Sequence, residues 1–299
     1  MIEVNTVTKL FDETKALDNV SLRMKQGGVY GLIGSNGSGK STLLRIISGV
    51  YRADGGSVTI EGENTFENTA LKDRIFFVSD EPYFFNQYSI HDAAKFYRQY
   101  YSNWDEATFK RLCEIFPLNY KKKIHTFSKG MKRQASLLLA LSANPDYLLL
   151  DEAFDGLDAV IRSLLKRIIA EKVVDKNLTT VITSHNLREL EDLCTQIGLL
   201  HYGKLVMERD YDSLKDSMHK VQLAFEQAPD EEKLKTLAPL KTEVSGRVAT
   251  LILRGEREEL KPKLDELNPI FIEMLPLTLE EIFLYEMEGT GYDFSQIMD

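Results

Sequence analysis

Gly34-Ser35-Asn36-Gly37-Ser38-Gly39-Lys40-Ser41-Thr42 is the stretch whose reading decides the fold. Its first eight residues match GxxxxGK[ST] in full. The apolar run 29–33 before it fits a buried strand. The residues after it predict a helix over 40–50, with Leu43, Leu44 and Ile47 on one face. Strand, glycine-rich loop and helix in that order suit a phosphate. Glycines let backbone N–H groups converge on phosphate oxygens, and a helix N-terminus adds partial positive charge. Lys40 can reach β- and γ-phosphates, and Ser41 offers a hydroxyl to Mg²⁺.

Downstream of the loop, 147–150 predicts a buried strand that ends in Asp151-Glu152. Two carboxylates at a strand tip have a reason when something polar sits there. Asp151 would hold Mg²⁺, directly or through water, and Glu152 could polarise an attacking water. A further strand over 179–182 leads to Thr183-Ser184-His185, which puts a histidine where parallel sheets bind ligands. Helices are predicted over 137–141, 161–169 and through Leu187 and Leu190, with a last strand over 197–201. Strands alternating with helices mean a parallel sheet covered on both faces. Read alone, Ser128-Lys129-Gly130-Met131 is only a helix start capped by Ser128, and 155–158 only a turn.

Two flanking regions differ in character. Residues 1–60 read as β-rich. Between Phe76 and Tyr120 lie 14 of the chain's 29 aromatic residues, and Ser89 with Asp92 marks a helix start. These rings suit either the core of a separate helical subdomain or an exposed groove for a partner. Past Leu214 come an alternating run 221–225, helical stretches at 231–237 and 256–267, and strands over 248–253 and 270–274. Thr278 and Glu281 then form a capping box opening a last helix. This predicts a small α+β domain over 213–299.

Composition narrows the classes. The chain has 299 residues, is 43% hydrophobic and 28% charged, and carries a net charge of −9. That is ordinary for a globular protein. The longest stretch without Asp, Glu, Lys or Arg is 26–39, 14 residues, against about 20 for a spanning helix. The acidic balance argues against a nucleic-acid binder. Two cysteines without a CxxC imply no disulfide framework or zinc site, and no signal segment opens the chain, so a cytoplasmic location is expected.

The ordered set 34–41, Asp80, 128–131, Asp151-Glu152, Asp158 and His185 resembles the ATP-binding subunits of ABC transporters, over about residues 1–212. The resemblance implies an α/β P-loop NTPase domain with a parallel-sheet core, an N-terminal antiparallel β part and a helical subdomain inserted at about 82–140. It implies ATP and Mg²⁺ as ligands. Gly34, Ser35, Asn36, Gly37, Ser38, Gly39, Lys40, Ser41 and Thr42 would cradle the phosphates, with Ser41, Asp80 and Asp151 at the metal. Phe11 falls where the family places an aromatic that stacks on adenine. Ser128 and Gly130 belong to the signature loop, which contacts ATP on the opposite subunit. Asp158 belongs to the loop coupling the two sites, and His185 is the switch histidine on the γ-phosphate. Glu152, His185 and Lys40 would be catalytic.

Three features depart from the family pattern. Asp80 stands where Gln is usual, the signature reads FSKGM rather than LSGGQ, and Ala153 replaces a proline. The variant signature, Asp80-Glu81-Pro82 and the segment 277–283 resemble the ATPases of bacterial antibiotic, peptide and lipid exporters. That implies membrane-spanning partner subunits, a second ATP-binding subunit in a homo- or heterodimer, no nucleic acid, and a peripheral place on the inner face of the cell membrane. The energising subunit of an importer, and a non-transport ABC ATPase in translation or DNA repair, are the alternatives.

Overall fold

The computed structural model describes residues 1–288. Its contacts divide the chain into two units, Met1–Glu208 and a second that begins at Arg209. The C-terminal domain expected from sequence runs to 299, and its residues 289–299 lie outside the described residues.

The first unit opens with a hairpin of β1 (Ile2–Phe11) and β2 (Thr14–Met24), then β3 (Val29–Ile33), α1 (Lys40–Ile47), β4 (Gly55–Ile60) and β5 (Glu63–Asn64). Strands β2-β1-β4-β5 form an antiparallel sheet. Asp54 fixes the turn into β4, accepting from the Leu10 N–H at 2.7 Å and from Lys9 Nζ at 3.0 Å. Then follow α2 (Thr69–Arg74), β6 (Ile75–Val78), α3 (Ile90–Tyr97), α4 (Glu106–Ile115) and α5 (Lys129–Ala143). The unit closes with β7 (Tyr147–Asp151), α6 (Ala159–Lys176), β8 (Thr179–Ser184), α7 (Leu187–Leu190), β9 (Gln196–His201) and the first five residues of β10 (Lys204–Asp210).

The central sheet has the order β10-β9-β3-β8-β7-β6, and β9, β3, β8, β7 and β6 run parallel. Strands β3, β7 and β8 are buried along their whole length, as crossover helices on both faces require. This is the α/β architecture expected for a P-loop NTPase. The register brings Ile33 opposite Ser184, and Asp151 opposite Thr183. Three strand tips therefore meet at one edge, and each leads into a candidate segment.

Among the aromatic residues, the structure shows two chains of rings, joined where Phe96 meets Tyr97 at 5.8 Å. Phe76, Tyr97 and Tyr101 pack together, with ring centroids 5.0 to 6.0 Å apart, and the Tyr101 hydroxyl donates to the Ile75 carbonyl. Tyr83, Phe85, Phe96 and Tyr100 form a second chain of touching rings, of which Tyr83 is 79% exposed. The predicted start of α3 is present as a reciprocal box. Asp92 N–H donates to Ser89 Oγ, and Ser89 N–H donates to Asp92 Oδ2.

The second unit holds α8 (Tyr211–Asp216), β11 (Met218–Ala224), α9 (Glu231–Lys235), β12 (Lys241–Ser245), β13 (Val248–Arg254), α10 (Arg257–Asp265), β14 (Phe271–Leu275) and α11 (Leu279–Glu288). Its antiparallel sheet, ordered β12-β13-β11-β14, buries Leu223, Leu251 and Leu253 against Leu234, Leu260 and Leu264 of α9 and α10. The box at Thr278 forms, with its N–H donating to Glu281 Oε2 at 2.9 Å.

Candidate functional site

Strand β3 delivers the chain into the glycine-rich loop. Close packing explains two of its glycines. A Cβ at Gly34 would lie 2.2 Å from the Leu200 carbonyl oxygen and 2.5 Å from Ser38 Oγ. At Gly39, φ is +106°, and a Cβ would lie 2.5 Å from the Ala16 carbonyl oxygen. Asn36 and Gly37 form the exposed tip, and Ser38 N–H donates to the Ser35 carbonyl. Ser41 and Thr42 follow in the first turn of α1.

Lys40 is 4% exposed, and its ammonium curls back over the loop. Nζ donates to the carbonyls of Gly34 at 2.7 Å and Ser35 at 2.9 Å, and lies 3.6 Å from Glu152 Oε1. Burial pushes this ammonium below its usual pKa, while the Glu152 and Asp151 carboxylates oppose the shift.

Asp151 is fully buried at the tip of β7. Its Oδ1 accepts from Ser41 Oγ at 3.0 Å and Thr183 Oγ1 at 2.8 Å. Its Oδ2 has no hydrogen-bond partner. Burial raises its carboxyl above the usual carboxylate range. The two hydroxyls work against that, and the neighbouring Asp80 and Glu152 carboxylates add to it. Thr183 Oγ1 also accepts the Glu152 N–H at 2.9 Å, so one hydroxyl orients both carboxylate residues. Glu152 turns with φ +46°, and His185 Nδ1 lies 3.6 Å from its Oε2. That spacing is an ion-pair distance only for a protonated ring and is too long for a hydrogen bond. His185 Nδ1 and Ser38 Oγ are likewise buried without a partner.

Asp80, after β6, is half exposed with Arg45 Nη2 4.0 Å from its Oδ1. Phe11 ends β1 as an open ring, edge-on to Tyr51 at 5.7 Å with Lys9 Nζ 5.5 Å from its centroid. Ser128 caps α5 through Met131 N–H, and Asp158 caps α6 through the N–H groups of Val160 and Ile161. Gly130 faces the loop before Asp158, where a Cβ would sit 3.1 Å from the Gly156 carbonyl oxygen. The structure thus gathers Lys40, Ser41, Asp151, Glu152 and His185 at one strand edge, and pairs the segment at Gly130 with the 155–158 loop. Thr183 and Arg133 are two residues to which the sequence reading gave no role. A hydroxyl in register with Asp151 was the available signal for Thr183.

Phosphates fit this cradle because three buried polar atoms around it, Ser38 Oγ, Asp151 Oδ2 and His185 Nδ1, have no protein partner. Mg²⁺ fits the donor set too. One hydroxyl and two carboxylates leave positions for water and phosphate, which Mg²⁺ prefers. No group of three or more His, Cys, Asp or Glu able to hold a metal occurs among the described residues. The fold and cradle define a P-loop NTPase.

A family model described as ABC transporter matches residues 17–155. The chain is 32% identical over 289 residues to the ABC transporter ATP-binding protein YtrB of Bacillus subtilis (strain 168), covering 97% of this chain and 99% of that one. It is 32% identical over 223 residues to the bacitracin transport ATP-binding protein BcrA of Bacillus licheniformis, covering 74% of this chain and 73% of that one. Its fold also matches the dimeric ATP-binding cassette MJ0796 in a post-hydrolysis state bound to ADP and Pi. That match has a TM-score of 0.63 and 22% identity, over 70% of this chain and 98% of that one. The chain belongs to the ABC transporter ATP-binding proteins, and it is an ATPase.

Proposed function

We propose that the chain powers an ABC exporter for an antibiotic, peptide or lipid-like substrate. It works with membrane-spanning subunits and a second ATP-binding subunit, as a homo- or heterodimer, on the inner face of the membrane. No helix among the described residues is long and apolar enough to cross a membrane. The likeness to a protein named for bacitracin transport supports the choice of substrate class. The ATPase domain is assigned to 1–212 and an accessory domain to 213–299.

One observation carries the mechanism: Lys40, Glu152 and His185 converge within 3.6 Å contacts beside a buried Asp151. Lys40 and the loop amides hold the β- and γ-phosphates of ATP. Ser41, Asp151 and Asp80 would hold Mg²⁺, which neutralises phosphate charge when bound. Glu152 orients a water whose oxygen bonds to the γ-phosphorus as the bond to the bridging oxygen breaks. ADP and phosphate leave, and the water's proton passes through Glu152 to solvent. His185 contacts the γ-phosphate, and Phe11 stacks on adenine. Ser128 and Gly130 reach the partner subunit's ATP, and Asp158 lies between the two sites. The exposed rings at Tyr83, Phe85 and Tyr100 receive a short helix of the membrane subunit.

Affinity purification from detergent-solubilised membranes tests this reading. A membrane-spanning subunit should co-purify, and reconstitution with it should raise ATP hydrolysis. Co-purification with ribosomes or DNA-repair proteins instead would overturn it.

A further inference from the structure

Arg133 lies in the second turn of α5 and is only 2% exposed. Its guanidinium reaches two loops that leave different strands. Nε and Nη2 donate to the Asp80 carbonyl at 3.2 and 3.0 Å. Nη1 donates to the Asp155 carbonyl and lies 3.1 Å from Asp155 Oδ2. Asp80 follows β6, and Asp155 lies three residues past Glu152. One turn earlier on α5, Gly130 sits so close to Gly156 that a Cβ would come within 3.1 Å of its carbonyl oxygen. Arg162 of α6 holds the same loop from its far end, donating to the Leu157 carbonyl at 3.1 Å.

We propose that Arg133 is a positioning residue for ATP hydrolysis. It ties the Asp80 loop and the Glu152–Asp158 loop to the start of α5, so that the three move as one body relative to the Lys40 cradle. The inference rests on Glu152 as the group that orients water. Geometry explains why the residue is arginine. The planar fork serves two carbonyls and a carboxylate at once, whereas a lysine ammonium is a compact point charge on a flexible stem. The same guanidinium holds the Asp155 carboxyl below its usual range, as expected for a charge-assisted contact. A buried guanidinium stripped of these partners would be strongly unfavourable, so the loops and the helix gain from staying together.

Arg133→Met in the full chain tests this. It keeps the apolar bulk and removes every donor. ATP affinity should stay within about twofold, because Lys40 and the glycine-rich loop are untouched. The kcat should fall at least about tenfold, since misplacement of about 1 Å can cost about a hundredfold. Hydrogen exchange adds a reading that a space-filling role would not move. In the parent, ATP should slow exchange in 79–82 and 153–158 together. In Arg133→Met the two segments should respond separately. Arg133→Gln retains donors and should recover part of the rate, and it decides the matter if Arg133→Met fails to fold. A folded variant with kcat within twofold of the parent overturns the proposal. So does a rate that falls only with the folded fraction while both segments stay coupled. Failure of the underlying reading looks different: Glu152→Gln, with Arg133 intact, would then hydrolyse ATP at the parental rate.

Discussion

Asp151 and Glu152 are adjacent, yet their environments impose opposite demands. Asp151 is sealed at the strand tip, where a carboxylate with one unpartnered oxygen is destabilising unless a cation meets it. Glu152 stays within reach of Lys40 and His185, at the expense of a left-handed backbone at φ +46°, worth about 1–3 kcal/mol of strain. The first feature stores instability that a bound cation would relieve. The Asp151 carboxyl has a raised pKa in the fold, so its ionisation opposes folding. Stability from this group is fully present below the ordinary Asp value of about 4, and is lost as pH rises through the raised folded value. Asp151→Asn should therefore melt higher than the parent at pH 7.5 without nucleotide, and the gap should close as pH falls toward about 4. Hydrolysis should be lost in the same variant. A parent that melts higher than Asp151→Asn at pH 7.5, by calorimetry, would show that the buried charge is compensated.

At the scale of elements, the aromatic segment between β6 and α5 shows how burial sorts similar residues. Phe109 of α4 is 5% exposed, while Tyr83 is open to solvent. Phe109→Ala should lower stability by about 3–5 kcal/mol, as cavity formation in a core does. Tyr83→Ala should leave the melting temperature nearly unchanged. Denaturant melts of the two variants check both, and equal losses would mean that the outer rings are structural. Sequence could not separate these rings, because inward and outward aromatics are equally apolar. The cradle was legible for the opposite reason: glycine spacing and strand-tip carboxylates have few other uses. Strand β2 was not singled out, and its register shows why. Buried Leu17, Val20 and Leu22 are spaced three then two, since Asn19 at φ +53° and shifts in the β1–β2 pairing break the alternation. Arg133 was illegible too. It follows Lys132 in a basic pair that reads as a solvated surface, and only the two loops brought over α5 by tertiary folding bury it.

For the whole molecule, what matters is that the cradle and the start of α5 lie at separate places on one chain. The cradle sits at the edge formed by β3, β7 and β8, while the segment at Ser128 and Gly130 opens α5 beside the 155–158 loop. Two copies facing each other would place one chain's α5 start over the other's phosphates, and nucleotide would then cement the pair. Hydrolysis would then remove the cement, and assembly would follow a cycle set by the role proposed for Glu152. Glu152→Gln keeps size and hydrogen bonding but removes the carboxylate proposed to orient the attacking water. Its hydrolysis should fall at least about a hundredfold while ATP binding persists. Size-exclusion chromatography should then show a dimer that appears with ATP and not with ADP. Adding Lys40→Ala should abolish that dimer by weakening nucleotide binding itself, and Ser128→Arg should abolish it with the affinity of the single chain intact. If Glu152→Gln stays monomeric with ATP although it binds it, the chain does not close on itself. The second site is then supplied by a different ATP-binding subunit, and mixing with that subunit should restore the ATP-dependent pair.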